Sequence, residues 1–316
     1  MRNRAIVLLF LLLAVFGLQN ALAIDCAEFT PTIDGRCMYR VVIPWVAFGG
    51  GWESRLKMSN IKQDPSFPSD PLQLDFFIWN ADGKTTAKFY STYNRFNYQP
   101  QLGGGWSYPL LPGESVEVRL LYPAACVPDT LDCQPDPGTL ATGSLVISYI
   151  TYNDYGNNVN ALRGLAKAQV QFLSKGPDGS FRWQATEREQ PPATVWIFPF
   201  GETFDKAANW QEAQNTSFAV ANAGNTPIQA RVTMIDQYRK VVAENSVYLK
   251  VHETRGYVLA DFFKGQLPEK DLSGWIIVQQ DDISPTNPAG GLLAVTAFQV
   301  IGDSMGSLDV QSIKAQ

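Results

Sequence analysis

Alternation with a period of two runs through this chain, and helical periodicity is nearly absent. In Leu72-Gln73-Leu74-Asp75-Phe76-Phe77-Ile78, the residues Leu72, Leu74, Phe76 and Ile78 share one face. In Ser115-Val116-Glu117-Val118-Arg119-Leu120 the apolar residues take one face and the polar residues the other. Ile228, Ala230, Val232 and Met234 stand in the same way against Gln229, Arg231 and Thr233. Neighbouring side chains on a strand point to opposite faces, so this pattern puts one face in a core and one in water, as in antiparallel sheets. The chain is therefore expected to be all-β. The pattern predicts strands near Tyr39–Ala47, Ser54–Asn60, Leu72–Trp79, Ser115–Leu121, Gly143–Tyr152 and Leu165–Leu173, with shorter ones in Thr85–Tyr93 and Phe181–Thr186. Further along it predicts Val195–Phe200, Thr216–Asn222, Ile228–Ile235, Val241–Val251, Arg255–Leu259, Gly274–Gln280 and Leu292–Ile301. Leu259-Ala260-Asp261-Phe262-Phe263 reads as one helical turn before Gly265.

The strand pattern is stated twice. Ile43-Pro44-Trp45-Val46-Ala47-Phe48, Gly49-Gly50-Gly51-Trp52 and the strand ending in Asn60 are echoed by Phe198-Pro199-Phe200-Gly201, Trp210 and the strand ending in Asn222. Ile78-Trp79-Asn80 then matches Met234-Ile235-Asp236. Thr142–Ile147 matches Leu272–Ile277, and Gly164-Leu165-Ala166 matches Leu292-Leu293-Ala294. Order is kept while loop lengths differ, as expected of a duplicated domain, because loops tolerate length change better than strands. Glu187-Arg188-Glu189-Gln190-Pro191-Pro192-Ala193 reads as a stiff, extended linker between the copies. About seven strands per copy fits two tandem immunoglobulin-like antiparallel β-sandwich domains, residues 24–190 and 191–316.

Ile43-Pro44, Gly49-Gly50-Gly51-Trp52, Asn60, Asp82-Gly83, Pro112-Gly113 and Gly143-Ser144 together resemble a repeated module of exported bacterial proteins. The second copy departs from it, with Asn209 before Trp210 and His252-Glu253 in place of Pro-Gly. The resemblance implies a β-sandwich of unassigned function and carries no catalytic residues.

Residues 1–23 read as a cleaved signal peptide. Arg2 and Arg4 are followed by the uncharged stretch Ala5–Gly17 and the small-x-small site Ala21-Leu22-Ala23. The apolar stretch is short for a membrane span. A mature chain from Ile24, secreted or periplasmic and without stable membrane insertion, is the expectation. Removing Arg2 and Arg4 from the 25 basic residues leaves 23 against 30 acidic, a net charge of −7. That charge argues against nucleic acid as a partner. Four cysteines suit an oxidising compartment. Cys26 with Cys37 and Cys126 with Cys133 each bracket a short, turn-rich stretch, so local disulfides are expected over a metal site.

No catalytic, cofactor or metal residues are assigned. His252 is the only histidine, and its place between a strand and a turn suggests a satisfied or exposed turn residue. No G-x-S-x-G elbow occurs, and neither Gly49-Gly50-Gly51 nor Gly103-Gly104-Gly105 leads into Lys-Ser or Lys-Thr. A carboxylate pair of the glycoside hydrolase kind is spatial and leaves no local signature. The suggestive feature is an aromatic insertion, in which Tyr90, Tyr93, Phe96, Tyr98, Trp106 and Tyr108 are interleaved with Asn94, Asn97, Gln99 and Gln101. Tyr and Trp beside amides suit stacking on sugars or an exposed protein contact; packing onto the insertion's own sheet is the alternative. The leading expectation is an exported, non-enzymatic structural or interaction protein with a protein or glycan partner outside the cytoplasm. The alternatives are a carbohydrate-binding protein using residues 90–108 and a small glycoside hydrolase-like enzyme.

Overall fold

The computed structural model describes residues 30–31, 37–61, 72–83, 97–99, 105–120, 140–151, 166–176, 178, 180–205, 210–281 and 292–313. The chain is all-β. Strands β1 (Thr30–Pro31), β2 (Cys37–Phe48), β3 (Trp52–Asn60), β4 (Leu72–Asn80), β5 (Asn97–Gln99), β6 (Gly105–Leu110), β7 (Ser115–Leu120), β8 (Ala141–Thr151), β9 (Ala166–Lys175) and β10 (Phe181–Arg188) form two sheets, ordered β1-β2-β8-β4-β6-β5 and β10-β9-β3-β7. They are followed by β11 (Val195–Glu202), β12 (Gln214–Asn222), β13 (Ile228–Asp236), β14 (Val241–Leu249) and β15 (Thr254–Val258). The expected helical turn is α1 (Leu259–Phe262), and β16 (Leu272–Gln280), β17 (Leu293–Ile301), β18 (Ser304–Ser307) and β19 (Gln311–Ser312) complete the chain. These make two more antiparallel sheets, β14-β13-β16-β11-β19 and β15-β12-β17-β18. The strand expected over Thr85–Tyr93 lies outside the described residues.

Each pair of sheets closes over a core built from the alternating apolar positions, and Phe298 of β17 and Met305 of β18 reach across into the first, with Phe298 edge-on to Phe172 at 5.8 Å. Ile43, Leu56, Met58, Phe76, Ile147 and Val170 meet in the first. Phe198, Phe218, Val232, Met234, Ile276 and Val295 meet in the second, with Leu259 and Phe263 of the α1 segment closing one side. Full burial of such side chains stabilises by about 1.5–3 kcal/mol each, which is what draws the sheets together.

Strand order corresponds position by position between the two pairs: β2-β8-β4-β6 with β11-β16-β13-β14, and β10-β9-β3-β7 with β18-β17-β12-β15. Local devices correspond too. A buried hydroxyl joins the first two strands of each pair. Ser54 Oγ donates to the Ala47 carbonyl at 2.5 Å, and Thr216 Oγ1 donates to the Gly201 carbonyl at 2.9 Å. Asn60 Nδ2 donates to the Leu110 carbonyl at 3.2 Å and Asn222 Nδ2 to the Lys250 carbonyl at 2.9 Å, each tying a strand end to the following turn. Pairing corrects the sequence matching by one residue in two places. Gly143 lies opposite Asn80 and Gly274 opposite Asp236, so Gly143 corresponds to Gly274 rather than Ser273. Ala166 lies opposite Asn60 and Leu293 opposite Asn222, so Ala166 corresponds to Leu293 rather than Ala294. A slip of one residue would turn core positions outward, and burial decides between the registers.

The Gly-Gly-Gly-Trp stretch is a two-residue hairpin. Gly49 and Trp52 exchange backbone bonds of 3.0 and 3.1 Å around Gly50 (φ 60°) and Gly51 (φ 86°). Positive φ at both central residues defines a type I′ turn and favours glycine there. Trp52 folds back onto the first core. The stretch expected to be a linker is extended but held on both sides. Gln190 pairs with Val42, and Ala193 pairs with Leu293.

Candidate functional site

Two regions bring polar and aromatic groups together. The first is the seam between the sheet pairs. Val42 of β2 and Val146 of β8 lie against Ala221, Ala223 and Ala294, with Trp79 beside them. Small residues on β12 and β17 let the sheet come close. The Ala81 carbonyl accepts from the Thr254 backbone N–H at 3.0 Å. A Cβ on Gly83 would stand 2.3 Å from the Val251 carbonyl oxygen, so the contact needs glycine there. His252 stacks on Trp79 with ring centroids 4.0 Å apart.

The turn that carries His252 explains the substitution seen in the sequence. Leu111-Pro112-Gly113-Glu114 is closed by the Glu114 N–H donating to the Leu111 carbonyl at 2.9 Å, and Lys250-Val251-His252-Glu253 by Glu253 to Lys250 at 3.1 Å. Gly113 (φ 76°) therefore corresponds to His252 (φ 58°), and Val251-His252 stands in the place of Pro112-Gly113. The expectation of a satisfied or exposed side chain is corrected. The ring is half-buried, and its Nδ1 has no hydrogen-bond partner among the described residues. Burial first, and the Arg40 charge second, hold its imidazole below the usual histidine value. Stacking on Trp79 fixes the ring.

Glu187 closes the other end of the seam, where β10 meets β18. Ser307 Oγ donates to the Thr186 carbonyl at 2.7 Å and accepts from the Thr186 N–H at 3.2 Å. The Glu187 carboxyl is buried there, and burial pushes it up to about 7, against the pull of the Thr296 and Ser307 hydroxyls.

The second region is an open groove of about 760 Å³ on the outer face of β10-β9-β3-β7. Lys57, Ser59, Ser115, Glu117, Lys167, Gln169, Arg188 and Glu189 line it. All but Glu189 are the outward halves of the same alternation that fills the core. Lys57 Nζ lies 3.2 Å from Glu117, and Ser115 Oγ donates to Ser59 Oγ at 2.8 Å. Glu189 forms one wall and is largely buried, its side chain 6% exposed. Its Oε2 accepts from the Tyr149 hydroxyl and, at 2.9 Å, from the Ala168 N–H. Burial raises the carboxyl to about 7, outweighing the tyrosine bond, the Lys167 charge 4.0 Å away and the backbone bond. Glu189 is thus committed to tying β10 to β8 and β9. The exposed donors Lys57, Lys167 and Arg188, with the half-buried Gln169, suit holding a polar or anionic group.

Of the residues singled out in the sequence, Tyr90, Tyr93 and Phe96 lie outside the described residues, as do Cys26, Cys126 and Cys133. Cys37 stands in β2 opposite Pro31. Tyr98 lies opposite Trp106 at the sheet edge, Trp106 opposite Phe76, and Tyr108 opposite Leu74. In backbone phase, positions 106 and 108 fall in step with the buried Leu110. Sequence reasoning missed Glu187 and Glu189, which it placed in a linker. The signal was there, since Ala185, Glu187 and Glu189 fall in one phase, continuing the buried face of β10. Among the described residues no group of three or more His, Cys, Asp or Glu is placed to hold a metal ion, and no helix is long and apolar enough to cross a membrane. No family model matches the chain, and no curated protein matches it.

Proposed function

We propose that this chain is an exported, non-enzymatic structural or interaction protein. In this reading two tandem immunoglobulin-like β-sandwich domains, residues 24–190 and 191–316, follow a signal peptide, and both cysteine pairs are oxidised locally. The resemblance to the repeated module of exported bacterial proteins belongs to the same reading. The observation that carries it is the seam. Two sheet pairs of equivalent strand order are docked by apolar contacts, a ring stack and backbone hydrogen bonds, leaving outer sheet faces free to meet partners. A protein whose domains are held in one relative position presents its surfaces as a fixed frame, which suits assembly and recognition.

A glycan is the second partner class. The groove favours it, because its amide, hydroxyl and cationic lining offers several hydrogen bonds to sugar hydroxyls or carboxylates.

Fractionation of expressing bacteria tests export. The mature protein is expected outside the cytoplasm, beginning at Ile24, with Cys26–Cys37 and Cys126–Cys133 linked. A cytoplasmic chain that retains Met1, or a Cys26–Cys126 link, would overturn the reading. Photo-cross-linkers at Lys57, Gln169 and Arg188 should give a defined adduct with protein or glycan in the native compartment. No adduct from any outer face, together with turnover of a glycoside, would replace interaction with catalysis.

A further inference from the structure

The face that is shut in the first sheet pair is open in the second. Pro44 corresponds to Pro199, Asn80 to Asp236 and Gly143 to Gly274, so Val42, Val146 and Trp79 correspond to Ile197, Ile277 and Ile235, and Ser144 to Trp275. In the first pair these positions lie under the seam: Val42 is 0%, Ser144 2% and Val146 6% exposed. In the second no described residue covers the face, and Trp275 is 49% and Val241 55% exposed. The residues form rows across four strands. Pro199 lies opposite Trp275, Trp275 opposite Ile235, and Ile235 opposite Val241; in the next row Ile197 lies opposite Ile277, and that row ends in Thr233 and Glu244. The solvent face of an antiparallel sheet is ordinarily polar, and a contiguous apolar area on it marks a contact with protein.

We propose that this face, centred on Trp275, is the interface of a two-fold dimer between copies of this chain. The seam supplies the precedent, because the equivalent face is already covered by apolar surface of the same chain. It also excludes the simplest repeat, in which the first sheet pair of another copy would dock head to tail. Gly83, where a Cβ would strike the Val251 carbonyl, corresponds to Arg239, and both adopt the same backbone (φ 69° and 66°). Ala221, Ala223 and Ala294, which lie on the seam, correspond to Ser59, Ile61 and Lys167. A lysine and two larger side chains cannot take the place of alanines on that face. What fits an apolar row four strands wide, flanked by Ile197 and Ile277 on two of them, is its own copy, two sheets stacked about 10 Å apart with the rows interdigitated. Beside the apolar row the face carries both signs, with Glu244 at the end of the Ile197–Ile277 row and Arg231, paired to Asp281 at 2.7 Å, in the row after it, so a face does not repel its copy. An interface of this kind pairs one patch with itself and closes at two subunits. The contact requires only the observed strand order and is independent of export.

Sedimentation equilibrium of the full chain across the micromolar range tests it. A monomer–dimer equilibrium is expected, with no larger species. Trp275→Glu and, separately, Ile235→Lys should weaken it by about 30-fold or more while leaving the folded spectrum unchanged, since both sites face solvent in the monomer. Ile61→Asp and Lys167→Glu should leave dimerisation as it was. A monomer throughout, assemblies beyond two, or a dimer insensitive to Trp275→Glu would overturn the proposal. Loss of association in Ile61→Asp would do the same and point to head-to-tail contact.

Discussion

Replacing Glu187 with Gln should stabilise this protein at neutral and alkaline pH and do little in acid. The residue is 4% exposed and its carboxyl is raised from 4.5 to about 7, with burial as the largest cause. In the unfolded chain the group ionises through about 4.5, while in the folded protein it stays protonated until about 7. Stability is therefore full below about 4.5 and is lost progressively as pH rises to about 7, above which the loss is complete. A shift of about 2.5 units at 1.36 kcal/mol per unit makes the loss about 3 kcal/mol, a large part of a typical domain's stability. Glutamine keeps the shape and stays neutral, so the variant should gain about 2–3 kcal/mol at pH 8 and almost nothing at pH 4.5. Urea unfolding followed by tryptophan fluorescence at pH 4.5, 6 and 8 reads the difference directly, and subtracting wild type removes the other titrating groups. If Glu187→Gln loses stability at pH 8, the carboxylate is ionised and held by its hydroxyl neighbours, and the reasoning fails.

Gly83→Ala should destabilise by about 3 kcal/mol or more, because the new methyl meets the Val251 carbonyl at a positive φ. Gly265→Ala, also at positive φ but with nothing within 4 Å, should cost only about 1–2 kcal/mol; equal losses would refute the seam's close approach. Asn222→Ala strips partners from the Thr226 and Lys250 carbonyls and the Gly224 N–H, and thermal unfolding should register a loss of about 2–4 kcal/mol. Trp79→Ala removes the stack on His252 and thins the apolar seam while leaving both cores intact. Phe298 still packs into the first core, so calorimetry should show one transition at lowered temperature, and an unshifted one would show that the stack adds no stability.

Alternation alone determined that this chain makes antiparallel sheets, and it located β4, β7, β13 and β16 nearly to the residue, because period two is a property of one strand read by itself. The α1 turn was legible for the same reason, since a short apolar run acts within a few residues. The repeat was legible as an order of segments but slipped by one residue at Gly143 and Ala166, where only pairing with Asn80 and Asn60 sets the register. Which outer face is covered was not legible at all. Val42 and Ile197 are similar side chains in corresponding strands, and one is buried while the other borders an open face, because Gly83 and three alanines let a sheet approach in one case only. Glu187 and Glu189 looked like linker charge and became buried carboxyls, since burial and the hydroxyls of Tyr149, Thr296 and Ser307 come from strands distant in sequence. Local conformation follows from neighbours along the chain; the environment of a charge or a face follows from what folds against it, and that is decided in three dimensions.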